Sequence, residues 1–299
     1  PLCTDWLASY RVCGMPPPSS GHLAMLQILG ILERLPRLPD PLRGEQPGTR
    51  AAAPSADWLH AYTEAARLAF ADRAQYVADP DFVDPPPGGW GSLLEDAYLQ
   101  QRAGLVGERS MGRATPGTLG GTRSAWAPMP DQPEHGTSHI SIVDAQGRAV
   151  AMTTTIEAVF GSRLMSDGGT GLPGGFLLNN QLTDFSLAPS DAQGRPVANR
   201  VQPGKRPRSS MSPTLVFDRR NGQLLMSLGS PGGPAIIHFT AKTLMGGLPW
   251  GLNAQQAIDL PNFGSFNGPT VLEAGRFPPA TVAALKARGH HVVETDLPS

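Results

Sequence analysis

A threonine at the mouth of a predicted strand has the clearest chemical potential in this 299-residue chain. Thr137 follows Gly136 and precedes Ser138, His139 and an alternating apolar segment. A threonine hydroxyl becomes an effective nucleophile when a base takes its proton, and a free α-amine on the same residue is such a base. That amine titrates at roughly 7.7–8.0 in model peptides, close to neutral pH. Thr137 gains this amine only if the Gly136–Thr137 bond is cut, and the plainer interpretation is that Thr137 simply begins a strand.

A second candidate group is the glycine-rich turn at residues 230–233, which precedes an apolar helical pattern. Backbone amides in the first turn of a helix carry the positive end of its dipole, so those of Gly232 and Gly233 suit a negatively charged oxygen. Removing one such oxyanion donor typically lowers a rate by roughly 100- to 1000-fold. A tight strand-to-helix turn, in which glycine only relieves steric strain, explains the same residues.

Six segments of the chain together carry a family pattern. In one-letter code they are MPPPSSG (15–21), ADR with DPDFV (71–73 and 79–83), GTSHISIVD (136–144), LLNNQ with DFS (177–181 and 184–186), KRPRSSMSPT (205–214) and GSPGG (229–233). In this order they resemble the gamma-glutamyltransferase family of N-terminal-nucleophile hydrolases, and the resemblance covers nearly the whole sequence. Proenzymes of that family split into two subunits ahead of a threonine, and Thr137 occupies that position here.

The resemblance implies an α+β fold, the four-layer αββα sandwich of N-terminal-nucleophile hydrolases. Residues 1–136 would be the C-terminal part of a large subunit, ending in a processing linker, and residues 137–299 the small subunit that carries the nucleophile. Both parts would belong to one structural domain and form a heterodimer, truncated at both ends relative to the family. No metal or organic cofactor is implied. The family implies a periplasmic or secreted location, although no signal segment is present at the start of the chain.

The resemblance also implies the reaction, in which the γ-glutamyl amide of a glutathione-like substrate is cleaved through a γ-glutamyl-threonine acyl-enzyme. That intermediate passes to water or to an acceptor amine. The matching site residues are Thr155 beside the catalytic hydroxyl, Gly232 and Gly233 as the oxyanion hole, Gln181 and Asp184 for the substrate amino group, and Ser209 and Ser210 for its carboxylate. Hydroxyls suit a carboxylate because they donate hydrogen bonds. An ordinary turn at 179–181 and a loop at 209–210 that satisfies its own backbone are the plainer alternatives.

Two departures from the family pattern leave alternatives open. Glu157 stands where several members have an asparagine, and a carboxylate there would attract the substrate ammonium and repel its carboxylate. The family's carboxylate-clamping arginine comes from an early part of the large subunit that has no counterpart here. A cephalosporin or glutaryl acylase with the same machinery is therefore the enzymatic alternative. A non-catalytic or unprocessed homologue that acts as a binding protein is the alternative from another class.

Periodicity predicts helices before the threonine and strands after it. Helical apolar spacing predicts helices at residues 20–34, 57–77 and 92–103. From 104 to 135 the apolar density falls while Gly, Pro, Ser and Thr increase, which predicts an exposed processing linker. Period-two alternation predicts strands on both sides of a hairpin turn at 145–148, and further strands at 176–179, 214–218 and 224–228, with a helix after residue 233.

Charge and composition exclude several classes of protein. The formal net charge is −1 without a basic stripe, which argues against nucleic acid as a partner, and the apolar runs are far shorter than the roughly 20 residues of a membrane helix. Lys205, Arg206 and Arg208 form a local basic cluster, for which structural ion pairs are favoured over steering of an anionic substrate. The seven histidines show no metal-ligand spacing. Cys3 and Cys13 make no disulfide framework, so a bridge between them is possible but not required by the sequence.

Overall fold

Helices and strands alternate irregularly in the computed structural model, which describes residues 1–42, 53–120, 124–130, 132 and 136–298. The helices are α1 Gly21–Glu33, α2 Ala56–Tyr76, α3 Asp96–Ala103, α4 Ile236–Gly247, α5 Ala254–Asp259 and α6 Pro279–Ala287. The strands are β1 Leu2–Trp6, β2 Tyr10–Gly14, β3 Ser138–Val143, β4 Ala149–Thr154, β5 Met165–Ser166, β6 Phe176–Leu177, β7 Thr214–Asp218, β8 Leu224–Leu228, β9 Phe263–Gly264, β10 Thr270–Glu273 and β11 Val292–Thr295. Short 3₁₀ turns occupy Trp90–Leu94, Gln181–Asp184 and Gly233–Ala235. The predicted α+β class is therefore confirmed.

The centre of the core is formed by α1 and α2, which pack against each other. Every residue of α1 from 21 to 32 is buried, because apolar side chains occupy all sides of that helix. In α2 the small side chains of Ala65, Ala66 and Ala69 are fully buried and permit close packing. Both helices match their predicted bounds to within one residue at each end. Among the residues described, no helix is long and apolar enough to cross a membrane.

The predicted third helix begins later than expected. Residues 90–94 form a 3₁₀ turn, and Glu95 has an extended backbone with φ −67° and ψ 143°. This extended residue separates the turn from α3, which begins only at Asp96 and ends at the predicted Ala103. Apolar spacing did not reveal the interruption, because a 3₁₀ turn and an α-helix have similar spacing over so few residues.

The strands form sheets that join distant parts of the sequence. A four-stranded antiparallel sheet has the order β1–β2–β7–β8, and a three-stranded sheet has the order β11–β10–β9. The hairpins β3–β4 and β5–β6 pair separately. Both β7 and β8 have their predicted bounds, whereas β6 is two residues shorter than the predicted strand at 176–179. Because β2 pairs with β7, the segments before and after Thr137 share one sheet.

A disulfide bond joins Cys3 and Cys13, which settles a point that the sequence left open. The hairpin of β1 and β2 sets these two residues directly opposite each other, with their Cα atoms 4.1 Å apart. The sequence did not show this, because a spacing of ten residues gives no strand register by itself.

The described part of the predicted linker combines exposed residues with short stretches that pack on the rest of the protein. Ala127 and Met129 are buried. The Ala127 amide donates to the Pro196 carbonyl at 2.8 Å, and the Met129 amide donates to the Ala74 carbonyl at 3.0 Å. Scattered apolar residues within a polar stretch therefore suffice to dock this segment. The rest of the predicted linker, residues 121–123, 131 and 133–135, lies outside the described residues.

Candidate active site

The Gly136–Thr137 peptide bond lies in strained backbone. Gly136 has φ +70° and Thr137 has φ +145°, both within the region that residues with a Cβ rarely adopt. A Cβ on Gly136 would lie 1.6 Å from the carbonyl oxygen of Glu157, so only glycine fits there. A non-glycine residue held in such a conformation stores about 1–3 kcal/mol of strain. The bond marked by the sequence for cleavage is therefore both strained and packed against Glu157.

Thr155 lies next to Thr137 by strand register. β3 and β4 pair with Ser138 opposite Thr154, so the next step beyond that pair brings Thr137 and Thr155 together. The Thr155 hydroxyl oxygen accepts a hydrogen bond from the Glu157 amide at 2.9 Å. Because a hydroxyl also donates one hydrogen bond, Thr155 still has a proton to offer in another direction. The strand register therefore places the predicted nucleophile and its predicted hydroxyl neighbour just beyond the same end of the hairpin.

Contacts between β3 and the end of β8 bring the glycine-rich turn towards Thr137. The Ser227 hydroxyl donates to the Ser141 hydroxyl oxygen at 3.2 Å. His139 packs so closely on Gly229 that a Cβ at Gly229 would lie 2.3 Å from the imidazole ring. The two contacts follow an antiparallel order, so Thr137 and the turn after Gly229 lie at the same end of the two paired segments.

The turn has the geometry expected of an oxyanion site. Gly232 has φ +125°, and a Cβ there would lie 2.7 Å from the Phe239 ring, so the position requires glycine. Gly233 begins a short 3₁₀ turn that continues directly into α4. The first amides of this helical segment carry the positive end of its dipole. The backbone at Gly232 and Gly233 therefore suits a negatively charged oxygen.

Three of the predicted substrate contacts line one cavity of about 350 Å³. Gln181 and Asp184 lie at the two ends of a single 3₁₀ turn, which presents both to the cavity. Ser209 lies on the opposite segment, next to Lys205 and Arg206 of the basic cluster, which also line the cavity. A carboxylate, an amide, a hydroxyl and two cations thus surround a volume suited to a small zwitterion.

Asn180 connects this cavity to the scissile bond. Its backbone amide donates to the Ile156 carbonyl at 3.2 Å, and its side-chain oxygen accepts from the backbone amide of Ala158 at 3.0 Å. Its side-chain nitrogen donates to a carboxylate oxygen of Glu157, which is 5% exposed. Since Glu157 also contacts Gly136 through its backbone, one continuous set of contacts joins the cavity to the cleavage site. The carboxylate of Glu157 is thus engaged with Asn180 in this structure.

Ser210 differs from its neighbour Ser209 because its side chain is buried. Its hydroxyl oxygen accepts a hydrogen bond from Nη2 of Arg73 at 2.5 Å. Nε of Arg73 donates to the Ser20 hydroxyl oxygen at 2.7 Å, and the Ser20 hydroxyl donates to the Ser209 carbonyl at 2.7 Å. Arg73 of α2 and Ser20, which precedes α1, therefore hold the two serines through hydrogen bonds.

The basic cluster is mainly structural, as its sequence favoured. Arg206 binds Asp79 through Nη2 at 2.6 Å and through its own amide at 2.7 Å. Burial alone would raise the pKa of Asp79, but the hydrogen bonds from Arg206 outweigh it and hold that pKa below its usual range. Lys205 donates to the Ala198 carbonyl at 2.6 Å, and burial lowers its pKa to about 8. Arg208 is buried as well.

Gln132 fastens the segment ahead of the cleavage site to the cavity wall. Its side-chain nitrogen donates to the carbonyls of Thr183 at 2.7 Å and Phe185 at 2.9 Å. Its side-chain oxygen accepts from the Leu187 amide at 3.2 Å. The Thr183 and Phe185 carbonyls flank Asp184, so the Gln132 side chain contacts the backbone on both sides of a residue that lines the cavity.

Two buried side chains of α2 meet a third that is distant in the sequence, away from this site. The ligand atoms of His60, Glu64 and His290 lie within 4.8 Å of one another. His60 and His290 share a hydrogen bond of 2.7 Å, and their other ring nitrogens contact the Gly107 carbonyl at 2.8 Å and the Thr270 hydroxyl at 2.8 Å. These contacts already use all four ring nitrogens, so the cluster forms a structural network between α2 and the region of β10 and β11.

Known proteins match the chain over nearly its whole length. The family model of gamma-glutamyltranspeptidase matches residues 1–299. The chain belongs to the gamma-glutamyltranspeptidase family. The glutathione hydrolase proenzyme of Escherichia coli (strain K12) is 34% identical over 300 residues, which cover 98% of this chain and 46% of that protein. The acylase ACY 1 proenzyme of Pseudomonas sp. (strain SE83) is 31% identical over 287 residues, which cover 96% of this chain and 44% of that protein.

A solved family structure resembles the chain over almost its whole length. The cephalosporin acylase from Bacillus halodurans superposes with a TM-score of 0.72 at 26% identity, covering 99% of this chain and 46% of that one. The chain therefore spans about half the length of the relatives it matches. Membership of an enzyme family is thus shown, and the relatives include both a glutathione hydrolase and acylases.

Several residues of the site had no assigned part in the sequence analysis. Arg73 and Asn180 both lie within segments that carried the family resemblance, and that position was the available signal. Gln132 lies in a polar stretch without any distinguishing pattern, so its contacts became visible only in the structure. The same holds for His60 and His290, which are separated by 230 residues.

Proposed function

We propose that this chain is the catalytic part of an enzyme that transfers or hydrolyses γ-glutamyl groups, with glutathione-like amides as substrates. One observation carries the proposal: Gln181, Asp184 and Ser209 line a single cavity, which Asn180 joins to the strained scissile bond. A γ-glutamyl group has an ammonium and a carboxylate at one end and its amide at the other. Such a molecule needs charged and polar contacts at one end of a cavity and a nucleophile at the other.

Activation begins with autocleavage. The Thr137 hydroxyl oxygen attacks the Gly136 carbonyl carbon, the C–N bond breaks, and the Thr137 nitrogen takes a proton. The resulting ester is hydrolysed by water, which leaves a carboxylate on Gly136 and restores the hydroxyl of Thr137 beside a free α-amine. The positive φ of Thr137 supports this step, because cleavage releases the strain that a residue with a Cβ has in that conformation.

In turnover, the α-amine of Thr137 takes the hydroxyl proton as the oxygen attacks the γ-carbonyl carbon. The amides of Gly232 and Gly233 stabilise the negative oxygen that forms, and the Thr155 hydroxyl donates to the catalytic oxygen. The substrate nitrogen leaves with a proton, so the γ-glutamyl group remains as an ester on Thr137. Water or an acceptor amine then attacks this ester and restores the threonine hydroxyl.

Four residues recognise the γ-glutamyl group. Asp184 and the side-chain oxygen of Gln181 accept hydrogen bonds from the substrate ammonium. Ser209 and Ser210 donate hydrogen bonds to its carboxylate. This assignment is supported by the cavity that Gln181, Asp184 and Ser209 share.

The two products of cleavage, residues 1–136 and 137–299, remain together as a heterodimer. Two observations support this. β2 of the first part pairs with β7 of the second, and the Ser20 amide donates to the Ser209 carbonyl at 2.8 Å. In the complete protein these parts belong to the four-layer αββα sandwich of N-terminal-nucleophile hydrolases.

An acylase for glutaryl amides is the second candidate. The observation that keeps it open is Glu157, which stands where several family members have an asparagine and whose buried carboxylate binds Asn180 instead of lining the cavity. A glutaryl group lacks the ammonium of a γ-glutamyl group, so Asp184 would have no positive partner on such a substrate. The presence of acylases among the similar proteins also supports this candidate.

Release of p-nitroaniline from γ-glutamyl and glutaryl anilides tests the proposal. We expect the wild-type protein to cleave the γ-glutamyl anilide, and we expect Thr137→Ala to abolish both cleavage of the chain and turnover. Ser138→Ala serves as the matched control and retains both, since it changes the adjacent hydroxyl only. Preference for the glutaryl anilide would select the acylase, and turnover by Thr137→Ala would contradict the assigned nucleophile.

A further inference from the structure

Arg73 places a positive charge directly behind one of the predicted substrate contacts. It lies in the last turn of α2 and is buried. Its guanidinium donates to the Ser210 hydroxyl oxygen at 2.5 Å and to the Ser20 hydroxyl oxygen at 2.7 Å. Its other neighbours include the Phe70 ring, whose centre lies 5.3 Å from the guanidinium carbon. The charge of Arg73 is thus one hydrogen bond away from Ser210.

The direction of these hydrogen bonds is fixed because a guanidinium only donates. Ser210 must accept from Arg73, so its own proton is directed elsewhere. Ser20 accepts from Arg73 in the same way and donates its proton to the Ser209 carbonyl at 2.7 Å. The Ser20 amide donates to the same carbonyl at 2.8 Å. Arg73 therefore orients the hydroxyl of Ser210 and, through Ser20, holds the backbone of Ser209.

We propose that Arg73 is a positioning residue for recognition of the substrate α-carboxylate and acts through Ser210. Hydrogen bonds in a chain polarise one another, so a hydroxyl that accepts from a cation donates more strongly to an anion. Arg73 supplies a positive charge for the carboxylate without touching it. This inference rests on the proposed γ-glutamyl function and adds to it the source of positive charge behind the two serines.

The planar shape of arginine is essential to this arrangement. Two N–H groups of one rigid guanidinium reach Ser20 and Ser210 at the same time. A lysine offers a single ammonium on a flexible stem, which keeps the charge but not the paired geometry. Arg73→Lys is therefore expected to retain part of the effect, and Arg73→Gln to lose it.

The test compares two substrates that differ only at the α-carbon, γ-glutamyl anilide and its α-carboxamide analogue. Rates are normalised to the amount of cleaved protein, measured by intact mass. We expect Arg73→Gln to lower kcat/KM for the carboxylate substrate about tenfold, mainly through KM, because about 1.4 kcal/mol is lost at a charge-assisted contact. The carboxamide substrate should change little. Ser210→Ala should give the same selective loss, and the double variant should be no worse.

Arg102→Gln is the matched control, because Arg102 is also a buried arginine but pairs with Asp72 at 3.1 Å. Its effect on the two substrates should be equal. An equal loss on both substrates in Arg73→Gln, as in this control, would overturn the inference and assign Arg73 a purely structural part. A wild-type protein that cleaves neither substrate would contradict the proposed function itself, and the inference with it.

Discussion

The carbonyl oxygen of Glu157 occupies the space that a side chain on Gly136 would need, at 1.6 Å from the position of its Cβ. Gly136 and Glu157 both have φ +70°. Two segments thus meet through their backbones at the proposed cleavage site, and each adopts a conformation that is unusual for residues with a side chain. This contact fixes the Gly136–Thr137 bond relative to the cavity wall.

A substitution of Gly136 tests whether this contact is needed for cleavage. Gly136→Ala forces the backbone away from Glu157, so we expect the chain to remain largely uncut when followed by intact mass. Gly147→Ala is the matched control, because Gly147 also has a positive φ, at +79°, but has open space around its Cβ position. Cleavage of Gly136→Ala at the wild-type rate would show that the contact is dispensable.

Removal of the Gln132 side chain tests the anchoring of the linker. Gln132→Ala loses three hydrogen bonds to the backbone around Asp184. We expect autocleavage to slow about tenfold, since the loss of about 1.4 kcal/mol of positioning corresponds to that factor. Gln101→Ala, an exposed substitution on α3, is the control and should process normally. Equal processing rates in the two variants would contradict an anchoring function for Gln132.

Asp79 and Arg206 predict a pH-dependent contribution to stability. The pKa of Asp79 is held below its usual range in the folded state, so the ion pair stabilises the protein above the pKa of the unfolded state, about 3.9. This contribution is lost as the pH falls through the folded-state pKa. Arg206→Ala should therefore lower the free energy of unfolding at pH 7 and change it much less in strong acid, where Asp79 is protonated.

Urea unfolding at several pH values measures this difference. Arg195→Ala is the control, since Arg195 pairs with Asp191 at 2.7 Å on the surface, where ion pairs contribute little. A penalty for Arg206→Ala that is equal at neutral and acidic pH would show that the charge of Asp79 is not involved.

The disulfide predicts a loss of stability on its removal. Cys3 and Cys13 close a short loop with a sequence separation of ten. Replacing both cysteines by serine should lower the free energy of unfolding by about 2 kcal/mol, because the unfolded chain gains conformational freedom. Denaturant unfolding of the wild-type protein, with and without reductant, and of the double variant measures this loss of stability. Equal stability of the wild-type protein in both conditions would contradict a structural bond.

The sequence predicted those features that depend on local periodicity or on motifs. The long helices α1 and α2 and the strands β7 and β8 were found because each has a regular apolar pattern that fills the core. Gln181, Asp184 and Ser209 were assigned to one substrate pocket through the family pattern, and the structure brings them to one cavity. Whether they bind substrate stays a prediction.

Features that depend on distant contacts could not be read from the sequence. One such feature is the hairpin register that brings Cys3 opposite Cys13. Another is the packing of the linker at Ala127 and Met129, whose partners lie far away in the sequence. The hydrogen bond from Arg73 to Ser210 spans 137 residues. Such polar contacts leave no periodic trace, because a single buried donor needs only one partner.

Intact mass combined with N-terminal sequencing of the purified protein directly tests autocleavage between Gly136 and Thr137. We expect two fragments, one of which begins Thr-Ser-His-Ile-Ser at Thr137, and a single uncut chain in the Thr137→Ala variant. A wild-type chain that stays uncut, or a cut at any other bond, would leave Thr137 without a free amine and would contradict the proposed mechanism.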